Sequence, residues 1–149
     1  MSKMTKPLSS HMLVTTQFGS IALGLVPFAG QQGDRLWLIA TLAGVLVGLY
    51  TLLHNRIGNF GVYPEPLGHA QLVTSGPYKW VRHPMYLAVL LFMLGIAMFN
   101  GHLLNQLALI PLGLAIIGKM NKEEAYLRTH FNEYGRYSSG NKRLLPFIY

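Results

Sequence analysis

Long runs without charged residues dominate the hydropathy pattern of the chain. Three stretches contain no Asp, Glu, Lys or Arg, and they lie at residues 7–33, 37–55 and 83–118. A helix needs about 20 mostly apolar residues to cross roughly 30 Å of hydrocarbon, and in lipid its backbone groups must bond within the segment. The pattern therefore predicts membrane helices at about 12–28 and 36–53, and a third stretch long enough for two more.

A turn signal divides the third apolar stretch. Asn100 and Gly101 stand near its centre, and Asn-Gly is typical of a tight turn. This predicts a helical hairpin with arms at about 85–99 and 103–118, the second of which Pro111 would kink. The expected fold class is an all-α integral membrane protein with about four transmembrane helices and a cytoplasmic C-terminal helix and tail.

Composition agrees with this interpretation. Half of the residues (51%) are hydrophobic and only 11% are charged, against about 25% in soluble domains. A soluble helical bundle needs polar outer faces, which these segments lack. There are no cysteines, which excludes disulfide scaffolds, thiolate chemistry and Cys-ligated metal. The six histidines show no metal-binding spacing, so no metal site is expected.

The distribution of basic residues predicts how the chain is oriented. Four spans divide it into two N-terminal helices (1–54), a loop (55–84), the hairpin (85–118) and a tail (119–149). Of the 12 Lys and Arg residues, all but Arg35 then fall on one side. By the positive-inside rule both termini are cytoplasmic, and we expect a multi-pass protein of a prokaryotic inner (plasma) membrane. The net charge of +7 requires no nucleic-acid partner.

The end of the 55–84 loop carries a first group of candidate functional residues. Pro84 suits the first turn of the third membrane helix, which places Arg82 and His83 beside free backbone N–H groups at its positive end. Such a position favours an anion, and Tyr86 shares the face of His83. The alternative is that Arg82, Trp80 and Tyr78 are only interface anchors.

The tail carries a second group, on a continuation of the fourth helix. Glu124 shares a helical stripe with Leu127 and Phe131, which predicts that it faces inward. Glu123 lies one turn after Lys119, at the spacing of an i,i+4 ion pair. A solvated Glu-Glu face is the alternative interpretation of these two acids.

Three ordered motifs around the hairpin resemble the isoprenylcysteine carboxyl methyltransferase family, which is related to the phospholipid methyltransferases. They cover the chain from about Ala70 onwards, or about half of it. The three motifs are Leu72-Val73-Thr74-Ser75-Gly76-Pro77-Tyr78, Arg82-His83-Pro84-Met85-Tyr86, and Glu123-Glu124 with Leu127, Phe131, Tyr134 and Tyr137; the match then closes with Arg143-Leu144-Leu145-Pro146-Phe147.

The resemblance implies an enzyme that takes the methyl group of S-adenosyl-L-methionine at a cytoplasmic pocket, releases S-adenosyl-L-homocysteine, and methylates a lipophilic acceptor from the bilayer. On charge grounds, Arg82 and His83 would face the carboxylate of the cofactor, and Glu123 or Glu124 its ammonium. The residues that the resemblance places around the cofactor are Gln71, Leu72, Val73, Tyr78, His83, Pro84, Met85, Tyr86 and Glu123.

Two positions depart from the family pattern. The histidine that family members carry before Leu-Val is one position further away here, at His69. Lys119 stands where members carry an arginine that meets the acceptor, and lysine lacks the planar fork that grips a carboxylate. The acceptor therefore stays open among carboxylates, amines and thiols. An amine must lose a proton, for which Glu124 is the predicted base, so Lys119 and Glu124 are the predicted catalytic residues.

Two other functions remain as alternatives. The layout is similar to the C-terminal half of sterol-reductase-like membrane oxidoreductases, which use a nicotinamide cofactor, although the chain is short for that class. A non-catalytic membrane scaffold is the second alternative. The oligomeric state is open, and a homo-oligomer would help four short helices to enclose a pocket.

Overall fold

The computed structural model describes residues 6–30, 32–55, 61–65, 71–146 and 148–149. Within them the chain forms α-helices and two short 3-10 turns, without any strand. The predicted all-α fold class is therefore confirmed. The helices are α1 (Leu8–Leu25), α2 (Leu38–His54), α3 (Pro84–Asn100), α4 (Leu103–Leu107), α5 (Leu109–His130) and α6 (Tyr134–Gly140), and the 3-10 turns are Arg35–Trp37 and Gly76–Lys79.

The predicted hairpin is present between α3 and α4. Gly101 follows the last residue of α3 with φ 69°, a left-handed conformation that glycine adopts without steric cost. The fourth apolar segment is interrupted at Ala108, between α4 and α5. The break lies just before Pro111, because a proline ring clashes with the carbonyl four residues earlier, here that of Leu107.

Small residues let α2 and α3 approach closely. Gly44 on α2 faces the backbone of Phe92 and Ala88, and Gly95 on α3 faces Thr41 and the carbonyl of Trp37. Such small-residue contacts are typical of helices that pack within membranes. The apolar core lies between α3, α5 and the chain after α6, and consists of Met93, Leu112, Ile116, Met120 and Leu144.

Helix α1 buries polar side chains and exposes apolar ones. Ser10, Gln17 and Ser20 are buried, whereas Met12 and Phe18 are more than half exposed. The large apolar side chains of α2 are exposed in the same way. Large exposed apolar surfaces mark contact with lipid or with a partner, and this inside-out arrangement fits a membrane protein.

In the part of the chain that the structure describes, two segments are long and apolar enough to cross a membrane, Arg35–His54 and Leu103–His130. Helix α3 is apolar but has 17 residues, and α1 contains several polar residues on its buried face. These findings agree with a membrane protein. The count of four spans, the cytoplasmic position of both termini and the division of the chain into 1–54, 55–84, 85–118 and 119–149 stay predictions.

The close contact of α2 with α3 gives a testable prediction. An added Cβ at Gly44 would lie 2.5 Å from the Phe92 nitrogen, whereas at Gly113 nothing lies within 4 Å. We expect Gly44→Ala to cost about 2 kcal/mol, because a backbone contact cannot yield as a side chain does. Gly113→Ala is the matched control. Thermal unfolding in detergent should show a Tm lower by about 5 °C for Gly44→Ala alone, and equal Tm values would contradict this packing.

Candidate active site

The chain after α6 runs beside the start of α3 and fixes its position. The backbone N–H of Arg82 donates to the carbonyl of Lys142 at 2.8 Å, and that of His83 to the carbonyl of Arg143 at 3.0 Å. Val81 and Lys142 form an isolated parallel bridge, and Pro84 then begins α3 as predicted. Two distant parts of the sequence therefore meet where the candidate residues are concentrated.

A buried carboxylate lies at the centre of this meeting point. Glu124 Oε1 accepts hydrogen bonds from Arg82 Nε, His83 Nε2 and Arg143 Nε, each at 3.0 Å. Arg82 also donates through Nη1 to the carbonyls of Ser138 and Asn141. Glu124 is 5% exposed, as its predicted inward orientation requires. We call Glu124, Arg82, His83 and Arg143 the ion cluster.

Glu123 has a different environment from Glu124. Its Oε2 atom accepts a hydrogen bond from the hydroxyl of Tyr86 at 3.1 Å and lies 3.8 Å from His83 Nδ1. Its side chain is 31% exposed. Among the described residues no Lys or Arg nitrogen forms an ion pair with it. Within the described part of the chain, Glu123 therefore presents a carboxylate that no arginine or lysine approaches to ion-pair distance.

Tyrosine side chains form part of the wall around Glu123. The hydroxyl of Tyr78 accepts from Asn55 Nδ2 at 2.9 Å, and the hydroxyl of Tyr137 donates to the carbonyl of Tyr78 at 2.7 Å. Burial, with the charge of Glu123, raises the pKa of Tyr78 to about 12. Burial, with the charge of Glu124, likewise raises the pKa of Tyr134 to about 12. These phenols stay neutral at physiological pH.

These side chains surround an open pocket whose empty volume, including the part open to solvent, is about 900 Å³. All ten residues predicted to bind the cofactor line it. They are Gln71, Leu72, Val73, Tyr78, Arg82, His83, Pro84, Met85, Tyr86 and Glu123. The lining also includes residues absent from that prediction, namely Asn55, Gly61, Tyr63, Pro64, Leu127, Tyr134 and Tyr137.

The structure places the two predicted catalytic residues elsewhere. Neither Lys119 nor Glu124 is among the described residues that line the pocket. The role of Glu124 as a base stays a prediction, and its three cationic or hydrogen-bonding partners oppose it because they stabilise the carboxylate form. Lys119 donates to Gln17 Oε1 and to the carbonyl of Val62, so it does not form the expected pair with Glu123.

The start of α3 also offers an anion fewer hydrogen-bond donors than expected. The backbone N–H groups of Arg82 and His83 are occupied by the carbonyls of Lys142 and Arg143, and the guanidinium of Arg82 is engaged by Glu124. In an α-helix the first-turn N–H groups lack intrahelical partners. Those of Met85 and Tyr86 are the donors left for an anion at this helix end.

Arg143 is the member of the ion cluster that the sequence analysis did not predict as a site residue. It contacts Glu124, Asn121 Oδ1 at 2.7 Å and the hydroxyl of Tyr149 at 3.0 Å. The signal in the sequence that could have identified Arg143 is its place in the segment that closes the family match. His69, whose position departs from the family pattern, and Phe147 of that closing segment lie outside the described residues. No group of three or more His, Cys, Asp or Glu side chains able to hold a metal occurs in the described part of the chain.

Comparison with known proteins decides the family. The family model for phospholipid methyltransferases matches residues 35–134. The chain belongs to this family. The predicted resemblance to membrane methyltransferases is thereby confirmed, and the match covers α2 to the start of α6 but not α1. The sterol-reductase alternative receives no support from any of these similarities.

Two bacterial relatives are similar to this member of the phospholipid methyltransferase family. The cobalt-zinc-cadmium resistance protein CzcN of Cupriavidus metallidurans is 32% identical over 85% of this chain and 59% of its own length. The nickel-cobalt-cadmium resistance protein NccN of Alcaligenes xylosoxydans xylosoxydans is 25% identical over 77% of this chain and 54% of its own. The chain thus spans between half and three fifths of these relatives.

Proposed function

We propose that this phospholipid methyltransferase family member transfers the methyl group of S-adenosyl-L-methionine to a lipophilic acceptor that it meets in the bilayer. One observation carries the proposal. The ten residues predicted to bind the cofactor, from three separate parts of the chain, line the same pocket. The family supports methyl transfer, and the cofactor and the acceptor class are our inference.

The charges of the pocket suit this cofactor, which combines a cationic sulfonium, an ammonium group and a carboxylate. Glu123 would hold the ammonium, since its carboxylate faces the pocket without a Lys or Arg partner among the described residues. Neutral tyrosine faces attract cations, and Tyr78 and Tyr86 line the same space. The first-turn N–H groups of Met85 and Tyr86 would face the carboxylate.

When bound, the cofactor would supply an electrophilic methyl group for in-line attack by the acceptor, and S-adenosyl-L-homocysteine would be the leaving group. The residues of the chain orient the two reactants and exclude water, which is the main requirement of such a reaction. Leu72, Val73 and Leu127 form apolar parts of the wall and would shield the site. An amine acceptor must release a proton, and the one carboxylate on the described wall, Glu123, is assigned to the ammonium group of the cofactor in this proposal.

Apolar surface supports an acceptor that arrives from lipid. Helix α2 exposes Leu42, Leu46 and Leu49, and the pocket lies beyond the end of this helix, where Asn55 lines it. A multi-pass protein of a prokaryotic inner (plasma) membrane, with both termini in the cytoplasm, would place the pocket on the side where the cofactor is made. Carboxylates, amines and thiols are all chemically acceptable acceptors. We also propose that the protein forms homo-oligomers.

The test is ligand binding by the purified full chain in detergent. We expect calorimetry to detect S-adenosyl-L-homocysteine with a Kd in the low-to-mid micromolar range, or about −7 to −8 kcal/mol. A reduced nicotinamide dinucleotide serves as the control ligand, and it should give no thermal shift. If the folded protein did not bind S-adenosyl-L-homocysteine, the proposal would be refuted. Transfer of radiolabelled methyl groups into membrane-lipid and small-molecule extracts then identifies the acceptor.

A further inference from the structure

Residues 61–65 form one side of the pocket. Gly61, Tyr63 and Pro64 all line it, and Pro64 is almost completely buried. The other contacts of this segment reach α1 and α5, at side chains that are not part of the described pocket lining. The position of this wall therefore depends on residues outside the pocket.

Lys119 joins the 61–65 segment to α1. Its side chain is buried, and Nζ donates to Gln17 Oε1 at 2.6 Å and to the carbonyl of Val62 at 2.7 Å. The same ammonium group lies 5.5 Å from the ring centre of Tyr86, which also lines the pocket. One cation thus contacts α1, the 61–65 segment and the start of α3.

A second contact links the same two parts of the chain. The hydroxyl of Ser10 donates to Glu65 Oε1, and Ser10 is completely buried. Lys122 Nζ donates to Ser10 Oγ at 2.9 Å. The hydroxyl of Tyr63 is also within hydrogen-bond distance of His11 Nδ1, at 3.0 Å. Helix α1 therefore holds the segment near both of its ends.

We propose that Lys119 and Ser10 are positioning residues, which hold the 61–65 segment against the pocket so that a bound ligand dissociates slowly. The proposal gives α1 a specific role although the family match begins at residue 35. It also changes the predicted role of Lys119 from a catalytic residue to one that acts through Val62. The identity of the ligand rests on the proposed function, whereas the position of the segment does not.

The first experiment measures the position of the segment without a ligand. The chain has no cysteine, so a Pro64→Cys substitution creates a single thiol at a buried point of the wall. We expect maleimide to label this thiol about tenfold faster when Lys119→Met is added, since Lys119 loses its charge-assisted hydrogen bonds. Lys119→Arg, which keeps donors and charge, should restore slow labelling. Lys142→Met, at an exposed lysine, is the matched control.

A thiol at a second position distinguishes release of the 61–65 segment from general loss of structure. Ala97 on α3 is 0% exposed and lies near the far end of that helix. An Ala97→Cys thiol should stay protected in the Lys119→Met background. Exposure of this thiol as well would overturn the proposal, because Lys119 would then be stabilising the whole fold. Equal labelling of the Pro64→Cys thiol with and without Lys119→Met would overturn it too.

The second experiment measures the rate of ligand dissociation in variants that lack the Pro64→Cys substitution. Stopped-flow dissociation of S-adenosyl-L-homocysteine should be about fivefold to tenfold faster in Lys119→Met and in Ser10→Ala, each of which removes one polar contact with the segment. Lys142→Met should match the original chain. Unchanged dissociation in both variants contradicts the proposal. If the original chain binds no such ligand, the proposed function fails and the thiol labelling alone decides the role of Lys119.

Discussion

Replacing Glu124 with glutamine should destabilise the protein by about 3 kcal/mol and abolish ligand binding, because it removes the anion that pairs with Arg82, His83 and Arg143. The three nitrogen donors meet at one buried oxygen atom, each at 3.0 Å. A neutral amide would leave two partly buried guanidinium groups without a counter-charge. We expect a Tm lower by about 10 °C in detergent.

Glu133→Gln is the control for this experiment. Glu133 precedes α6 with an exposed side chain that makes no capping hydrogen bond, so the same change of charge should leave Tm within about 1 °C, as is usual for surface sites. If Glu124→Gln behaved like Glu133→Gln, the ion cluster would not be holding the chain after α6 against α3. Loss of binding without loss of stability would instead mean that Glu124 meets the ligand.

Replacing Glu123 with glutamine should weaken the binding of S-adenosyl-L-homocysteine by about tenfold to a hundredfold, because the ammonium group of the ligand loses a charged partner. The amide oxygen can still accept from the hydroxyl of Tyr86, so folding should be retained. Calorimetry gives the affinity, and thermal unfolding of the free protein gives the stability. The two acids are adjacent in sequence. We nevertheless expect Glu123→Gln to lose affinity and keep its stability, whereas Glu124→Gln should lose both.

Two comparisons test this separation. Glu133→Gln changes the same charge at an exposed site and should bind the ligand normally. Glu123→Asp keeps the charge but shortens the side chain, and it should retain part of the affinity. Unchanged affinity in Glu123→Gln would show that this carboxylate does not hold the ligand, and a fall in Tm as large as that of Glu124→Gln would show that the two acids share one structural role.

Local signals predicted the helices and the turn between α3 and α4. Pro84 and Gly101 have backbone preferences that do not depend on distant partners, and both lie where the sequence places them. The helical stripe likewise predicted that Glu124 faces inward. The break at Ala108 was expected only as a kink at Pro111, since whether a proline bends a helix or divides it depends on packing against α1 and α3.

Residues that act across long distances were harder to predict. The charge of Arg82 suggested an anionic ligand, but the sequence could not show that Glu124 and the carbonyls of Ser138 and Asn141 would occupy its donors first. Lys119 similarly bonds to Gln17, which is 102 positions away. The pocket lining was predicted through the family motifs, because spacing alone does not say which parts of a chain meet.

The bridge between Val81 and Lys142 has a consequence for how the pocket is assembled during synthesis. The ribosome synthesises the segment that carries Lys142 and Arg143 after helices α1 to α5. Until then the backbone donors of Arg82 and His83 lack their carbonyl acceptors, and Glu124 lacks Arg143. Insertion into lipid can thus precede the ability to hold a ligand, and a chain truncated before residue 142 would keep its apolar helices without completing the pocket.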